Sequence, residues 1–272
     1  MFKIISKTKC ILGEGLYVNK SHAYWVDITK RKIFSTEKKF NFKIKSIPSV
    51  IFYKKKDLVI GTNTGIYSFT NKDEVSIIAS FKGNFDRRTH RSNDGCYLKK
   101  NQFLIGIMPK KNFKENGKLL LIENDKIYDL GLEIKIPNTF INLGNDCFLI
   151  SDSYLGIIYK IELCFKKKII KKKKIFYRFK KDIPDGGCLL PQKKIAITIW
   201  NSGKIVIFDK NNKIINNIKL PVKKPTNCKY SIKKKRLFIT SAVENLNKLH
   251  NKTSLSGHTF YINKPNALLS NH

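Results

Sequence analysis

Four short polar motifs recur along this 272-residue chain at intervals that strongly constrain its fold. The motifs resemble turns, are flanked by β-type runs, and contain Glu14, Asn93, Asn138 and Asp185, which are 79, 45 and 47 residues apart. The last two intervals match one blade of a β-propeller, and the first is close to two blades. A blade-length period is expected to bring equivalent turns to one mouth of a central channel. Oxygen-bearing side chains from separate blades would then converge, which suits a hard metal ion or a sugar.

Short β-type runs separated by Gly, Asn and Asp turns fill the rest of the chain and predict an all-β protein. The clearest runs are residues 23–27, 58–61, 65–69, 103–107, 118–123, 147–151, 156–161, 195–200, 204–209 and 236–241. A long helical periodicity is absent from the sequence, and no low-complexity linker marks a domain boundary. At about 45 residues per blade, the length predicts six blades in a single domain over residues 1–272.

The net charge of +34 comes almost wholly from lysine. Arginine, the residue preferred for bidentate phosphate and base contacts, occurs only at positions 31, 87, 88, 91, 178 and 236. The densest lysine run, residues 166–181, contains interspersed isoleucine and aromatic residues. This pattern favours a hairpin with its apolar residues inward and its lysines in water or along a sheet edge. We expect no specific nucleic-acid partner, although a lysine-driven binder of nucleic acid or of an anionic surface stays open as an alternative.

Cysteine usage and hydropathy predict a cytoplasmic protein. The six cysteines form no CxxC or Cys/His cluster, which favours reduced thiols. The first residues lack the apolar stretch of a signal peptide, and no apolar run reaches membrane-spanning length, so we expect no membrane partner. The sequence also lacks a GxSxG elbow, a phosphate-binding loop and a dinucleotide fingerprint, which argues against the main competing enzyme classes.

Further motifs accompany the four polar ones in a fixed order. The ordered series comprises residues 10–15 with 24–28, 91–95, 137–138 with 152–153, 184–186 with 200–203, and 220–226 with 240–242. Each motif alone is a common turn sequence, but the series covers nearly the whole chain. In this order the motifs resemble the senescence marker protein/gluconolactonase/regucalcin family. The resemblance implies a six-bladed β-propeller that binds one divalent cation and hydrolyses sugar lactones.

The resemblance also implies roles for individual residues. Glu14, Asn138 and Asp185 would bind the metal, Asp185 would in addition be the catalytic base, and Arg91, Asn93 and Asp94 would hold the sugar hydroxyls. Three positions depart from the family pattern, because Leu16, Val18 and Thr139 stand where Pro, Trp and Gly are usual. A further acidic sugar contact aligns with Glu115 only in an uncertain register. These departures bear on the choice of substrate more than on the metal site.

The chemistry of the expected ligand set limits the cofactor to a small group of ions. Two carboxylates and one amide oxygen suit Ca²⁺, Mg²⁺ or Mn²⁺, while Zn²⁺ stays open. Three protein ligands would leave positions for water or for a small sugar lactone. The sequence therefore predicts gluconolactonase-like hydrolysis to an aldonic acid, with a non-catalytic propeller that binds calcium or a sugar acid as the alternative. Asp152 and Ser153 are expected either to line the channel or to cap a strand end. The sequence does not predict the oligomeric state.

Overall fold

The computed structural model describes residues 2–20, 22–54, 56–99, 102–111, 113, 115–246 and 255–263. The chain divides into two compact units, one formed by residues 1–43 and 185–272 and the other by residues 44–184. Each unit contains three four-stranded sheets. The six sheets confirm the predicted fold class, an all-β six-bladed β-propeller. That the whole chain forms a single domain stays a prediction.

The sheets of the first unit follow chain order except where the amino terminus contributes a strand. They are β2(Gly13–Val18)–β3(Ala23–Asp27)–β4(Lys32–Ser35)–β5(Phe42–Lys43), β18(Pro184–Leu189)–β19(Ile195–Ile199)–β20(Lys204–Phe208)–β21(Ile214–Lys219), and β22(Lys224–Ser231)–β23(Arg236–Ala242)–β24(Phe260–Asn263)–β1(Phe2–Ile4). Strand β1 pairs antiparallel with β24, with Lys3 opposite Tyr261. The amino-terminal strand thereby completes the sheet that the carboxyl-terminal strands begin.

The sheets of the second unit are three consecutive four-stranded meanders. They are β6(Pro48–Lys54)–β7(Asp57–Thr62)–β8(Gly65–Phe69)–β9(Val75–Ser80), β10(His90–Tyr97)–β11(Gln102–Pro109)–β12(Lys118–Glu123)–β13(Lys126–Asp129), and β14(Pro137–Gly144)–β15(Cys147–Asp152)–β16(Ile157–Cys164)–β17(Ile169–Arg178). Antiparallel pairing joins every neighbouring pair in these three sheets.

Burial changes systematically across a sheet. All residues of the second strands β3, β11 and β19 are buried, so these strands are covered on both faces. The fourth strands β9, β13, β17 and β21 consist almost wholly of exposed and half-buried residues. Apolar side chains from neighbouring sheets share one cluster, as where Leu104 and Leu121 pack with Phe140 and Phe148. The core therefore lies between sheets and is formed mainly by their inner three strands.

The lysine-rich run forms the predicted hairpin. Strand β17 is the outermost strand of its sheet and pairs with β16, and its lysines lie at the surface. Phe176 and Phe179 are buried as expected, whereas Ile169 and Ile175 are about half exposed, at 47% and 52%. The inward placement of apolar residues thus holds at the carboxyl end of the run and in part at Ile170, which packs against the core. Among the described residues no helix is both long and apolar enough to cross a membrane.

Candidate functional site

Every residue predicted to act in the site lies on the first strand of a sheet. Glu14 lies on β2, Arg91, Asn93 and Asp94 on β10, Asn138 on β14 and Asp185 on β18. The description of their motifs as turns was therefore wrong, because each motif is part of a strand. Pro, Gly, Asn and Asp favour turns, but here they occupy irregular edge strands, where the loss of regular pairing is tolerated.

The irregularity is a bulge in the first strand. The register with the second strand shifts between Glu14 and Tyr17, between Ser92 and Gly95, and just after Asn138. A bulge places two residues of one strand opposite one residue of its neighbour and changes the direction of a side chain. Glu14, Asn93, Asp94 and Asn138 thus lie at or beside a bulge, where the strand can point a polar group away from the regular sheet face.

Two of these bulges use a left-handed backbone conformation. Gly15, which follows Glu14, has φ of 60°, and Thr139, which follows Asn138, has φ of 58°. A β-branched residue rarely adopts this conformation, because its Cβ crowds the backbone. Thr139 is fully buried, and its Oγ1 accepts a hydrogen bond of 2.9 Å from the Ser151 hydroxyl. The departure at Thr139 therefore keeps the backbone shape that a glycine would adopt, at the cost of local strain.

A chain of hydrogen bonds joins the predicted sugar-binding segment to a predicted metal ligand. Nη1 of Arg91 donates to Oδ1 of Asn93 at 2.8 Å, and Nδ2 of Asn93 donates to Oδ1 of Asn138 at 2.9 Å. Nδ2 of Asn138 donates to the Ser153 hydroxyl at 2.8 Å, which donates to the Pro184 carbonyl at 2.5 Å. The chain connects β10 with β14 and ends at the residue before Asp185.

The direction of this hydrogen-bond chain is fixed at both ends. A guanidinium group can only donate, so Asn93 must present its oxygen to Arg91 and its nitrogen to Asn138. Asn138 must then present its oxygen to Asn93, and the terminal carbonyl of Pro184 can only accept. The oxygen of Asn138 keeps a second lone pair, which makes it available to a cation. Asn138 is therefore held in one orientation, with its oxygen toward Asn93 and its nitrogen toward Ser153.

The other two acidic candidates of this unit have different surroundings. Asp94 is buried, and its Oδ1 accepts the Gly95 N–H at 2.8 Å, so this carboxylate also shapes the bulge. Glu115 lies with Oε2 at 3.8 Å from Nε2 of His90, the residue before Arg91. Glu115 is thus close to the start of β10. The uncertain register of Glu115 in the sequence had left its position relative to this segment undecided.

The open alternative for Asp152 is settled by its contacts. Asp152 is 1% exposed, and its carboxylate accepts backbone N–H groups from Lys135, Ile136, Tyr154 and Leu155 at 2.9 to 3.4 Å. It therefore ties the segment before β14 to the turn after β15 and caps the strand end. Ser153, by contrast, belongs to the hydrogen-bond chain that holds Asn138.

Asp27 plays the same part in the first unit. Its carboxylate accepts the N–H groups of Ile11, Leu12 and Lys30 at 2.8 to 3.4 Å, and it is fully buried. Burial, and next the Asp27 carboxylate, raise the pKa of the nearby Cys10 thiol to about 12. Cys10 is therefore a neutral structural thiol at physiological pH.

In the first unit, strand β22 links the segment of Glu14 to the segment of Asp185. The Thr226 hydroxyl donates to the carbonyl of Gly13, the residue before Glu14. The Thr198 hydroxyl lies 2.7 Å from the carbonyl oxygen of Gly186, the residue after Asp185, and 2.8 Å from that of Thr226. Buried hydroxyl contacts thus fix both acidic segments against one strand. In the sequence, Pro225 and Thr226 belong to the ordered series of motifs, which predicted no role for either residue.

Asn227, the next residue of β22, packs directly on the segment of Asp185. A Cβ built on Gly186 would lie 2.3 Å from Cγ of Asn227 and 2.6 Å from its Oδ1 and Nδ2. Gly186 therefore serves as a close-packing position inside β18 rather than as a turn glycine. Asn227 is 1% exposed, and its Oδ1 has no hydrogen-bond partner within the part of the chain that the structure describes.

A basic cleft of about 430 Å³ precedes β10. Lys82, Arg87 and Arg88 are among the residues that line it. Arg88 makes a forked contact with Asp86, with Nε and Nη2 at 3.1 to 3.2 Å from the carboxylate oxygens, and this hydrogen bonding lowers the pKa of Asp86. The turn from Asp86 to His90 leads directly into Arg91. The basic residues thus precede the predicted sugar-binding segment in the chain, and Asp86, which also lines the cleft, offsets part of their charge.

The residues present fit a hard divalent cation. Among the described residues, no three His, Cys, Asp or Glu side chains form a group that could hold a metal ion. The predicted ligand set differs from such a group, because two of its members are carboxylates and the third is the amide of Asn138. Asp185 and Asn138 are each 6% exposed. Such oxygen donors suit calcium, magnesium or manganese better than a sulfur-seeking ion.

Comparison with known proteins places this geometry in context. The family model described as the SMP-30/Gluconolactonase/LRE-like region matches residues 12–243. Regucalcin of Xenopus laevis is 24% identical over 271 residues, which covers 88% of each chain. Regucalcin of Homo sapiens is 22% identical over 263 residues and 87% of each chain.

Solved structures show the same fold. The calcium-binding protein regucalcin from Agrobacterium tumefaciens has a TM-score of 0.84 at 20% identity, covering 96% of this chain and 93% of its own. A gluconolactonase from Xanthomonas campestris has a TM-score of 0.71 at 11% identity, with coverage of 96% and 93%. At these identities the similarity concerns the fold.

Proposed function

Because the chain belongs to the SMP-30/gluconolactonase/LRE-like family, we propose that it hydrolyses sugar lactones to aldonic acids with the help of one divalent cation. The hydrogen bond between Asn93 and Asn138 carries this proposal, because it joins the predicted sugar-binding segment to a predicted metal ligand. Glu14, Asn138 and Asp185 are the proposed ligands.

The proposed mechanism assigns one task to each group. Glu14, Asn138 and Asp185 would hold the cation, which would supply Lewis acidity toward the lactone carbonyl and the attacking water. Asp185 accepts a proton from the attacking water and delivers it to the ring oxygen as the carbon–oxygen bond of the lactone breaks. Water and lactone thereby give one hydroxy acid. Arg91 holds the sugar hydroxyls as a donor. Asn93 contributes an acceptor oxygen, because its two amide N–H groups bond to the Pro137 carbonyl and to Asn138, and Asp94 contributes a second acceptor.

Binding without catalysis is the second candidate. The Agrobacterium relative is described as a calcium-binding protein, and this favours a cation-binding propeller that does not turn over lactones. The two candidates share the cation and differ in acid production. The proposal therefore needs a measurement that follows hydrolysis and metal binding separately.

The decisive experiment is a panel of aldonolactones with acid release followed at constant pH. The metal-stripped protein is assayed alone and after addition of Ca²⁺, Mg²⁺, Mn²⁺ or Zn²⁺, with Asp185→Asn as the matched control for spontaneous hydrolysis. We expect metal-dependent acid release that chelator abolishes and that the variant lacks. Calorimetric cation binding without acid release from any lactone would support the binding protein instead.

We further propose a cytoplasmic protein whose partner is a small sugar lactone, with no membrane partner and no specific nucleic-acid partner. The six cysteines are free thiols, as a reducing compartment maintains them. Binding of DNA and RNA at increasing salt tests the nucleic-acid part. We expect any binding to vanish near physiological ionic strength, and tight binding there would contradict the proposal.

A further inference from the structure

The side chain of Asn227 has an unusual environment for a buried amide. It is 1% exposed, yet its Oδ1 has no hydrogen-bond partner within the described ranges. Buried polar atoms are nearly always paired, because an unpaired acceptor loses the hydrogen bonds that water offers in the unfolded chain. A hydrophobic residue of similar shape would avoid this loss. The presence of an amide therefore indicates that its oxygen has a use outside the protein's own hydrogen bonds.

The position of Asn227 indicates what that use is. Its amide packs against Gly186, the residue after Asp185, closely enough to exclude any side chain there. The preceding Thr226 contacts the carbonyl of Gly13, the residue before Glu14. Asn227 therefore belongs to the strand that is attached to the segments of both carboxylate ligands of the first unit.

The local backbone supports the same role. The pairing of β22 with β23 shifts between Pro225 and Asn227, as the pairing of other first strands shifts beside Glu14 and Asn138. Asn227 lies directly after the bulge of its strand, whereas Glu14 and Asn138 lie directly before theirs. The first strand that carries Asn227 is therefore irregular in the same way, and a bulge can direct a side chain away from the regular sheet face.

We propose that Asn227 is a further oxygen donor to the divalent cation, beside Asp185. The inference rests on the proposed function, because it requires the cation. Calcium accepts roughly six to eight oxygen ligands, so the three predicted ligands leave room for a fourth. A neutral amide adds a donor without adding charge, which favours Ca²⁺ over Zn²⁺.

The test measures Ca²⁺ binding by the metal-stripped full chain. Isothermal titration calorimetry gives the affinity, and thermal unfolding with and without Ca²⁺ gives the shift in Tm. For Asn227→Leu we expect a Ca²⁺ affinity roughly 10- to 100-fold weaker than that of the wild type. The Tm without Ca²⁺ should stay the same or rise, because the unpaired oxygen is gone. Asn227→Asp keeps an oxygen donor and should bind Ca²⁺ at least as tightly as the wild type.

Thr259→Val is the matched control. Thr259 is 1% exposed, and its Oγ1 likewise lacks a hydrogen-bond partner among the described residues. Valine has the same shape as threonine, so this variant removes an unpaired buried oxygen elsewhere in the unit. We expect it to leave Ca²⁺ affinity unchanged. An equal loss of affinity in both variants would contradict a specific role for Asn227.

The outcomes separate this inference from the proposed function. If the wild type binds Ca²⁺ and Asp185→Asn weakens it, the cation site stands. If Asn227→Leu then binds Ca²⁺ like the wild type, Asn227 is no ligand and only the inference is overturned. If Asn227→Leu does not fold, Asn227→Asp decides, and a clear loss of affinity in that folded variant overturns the inference. No Ca²⁺ or Mn²⁺ binding by the wild type overturns both proposals.

Discussion

The first and second strands of the sheets differ in what they bury and how regularly they pair. The second strands β3, β11 and β19 are buried throughout, whereas the first strands carry Pro, Gly, Asn and Asp around a bulge. Regular pairing and apolar contacts stabilise the second strands, and irregular backbone directs polar groups from the first. Stability and the proposed chemistry are thus assigned to neighbouring strands of the same sheet.

Two aspartates show the difference most clearly. Asp152, at the end of the second strand β15, accepts four backbone N–H groups and connects two loops. Asp185, on the first strand β18, is buried beside a close-packed glycine. The residue type is the same, so the surrounding strand decides whether the carboxylate serves the fold or the proposed reaction.

The largest expected effect is on catalysis by Asp185→Asn. This change keeps the size of the side chain but removes the proposed base and one charge of the ligand set. We expect lactone turnover to fall by roughly 10² to 10⁴-fold, while the metal-free Tm stays close to that of the wild type. Acid release and thermal unfolding measure the two effects. Near-normal turnover would remove Asp185 from the proposed mechanism.

The same substitution at Asp152 should affect stability instead. Asp152→Asn places an amide N–H₂ against backbone N–H groups and removes a charged acceptor. We expect the free energy of unfolding to fall by about 3 kcal/mol, since hydrogen bonds to a buried charge are lost together. Denaturant unfolding measures this change. A stable Asp152→Asn variant with full turnover loss would reverse the assignment of the two aspartates.

The close contact between β18 and β22 can be tested by a double-mutant cycle. Gly186→Ala introduces a Cβ 2.3 Å from Cγ of Asn227 and should destabilise the protein by about 2 kcal/mol through overpacking. In an Asn227→Ala background the same change should cost much less, because the clashing atoms are gone. Urea unfolding of the four proteins gives the coupling. Equal costs in both backgrounds would contradict the close contact.

Arg91→Ala tests the start of the hydrogen-bond chain. Arg91 donates to Asn93, which in turn holds Asn138. We expect KM for the lactone to rise about tenfold, with a smaller fall in kcat, because the main loss is in positioning substrate. Steady-state kinetics measure both constants. A loss in kcat alone, with KM unchanged, would instead place Arg91 in the chemical step.

The sequence predicted the regular strands better than the irregular ones. The predicted runs 23–27, 65–69 and 118–123 coincide with β3, β8 and β12. The motifs of the first strands resemble turns in the sequence, because Pro, Gly, Asn and Asp are rare in strands and a bulge breaks the apolar alternation. The pairing of Asn93 with Asn138 and the packing of Asn227 on Gly186 join residues more than 40 positions apart. No local pattern contains such contacts, because they depend on how distant strands pack.

The smallest expected effect belongs to the lysines of β17, which lies at the opposite edge of its sheet from the first strand β14. Nζ of Lys171 lies 2.8 Å from Oε1 of Glu162, and Nζ of Lys172 lies 3.7 Å from Oε2. Changing both lysines to serine should leave turnover unchanged and shift Tm by no more than about 2 °C, because exposed ion pairs contribute little.

The pH dependence of that small shift has a defined sign. The hydrogen bond with Lys171, and then the charges of both lysines, lower the pKa of Glu162. Their stabilisation is present while the glutamate is ionised and disappears as the pH falls through its lowered pKa. The difference in Tm between the wild type and the double variant should therefore shrink on acidification. Thermal unfolding between neutral and acidic pH measures it. A large loss of lactone turnover in the double variant would instead assign function to the basic outer strand and break the division between first strands and the rest of the sheet.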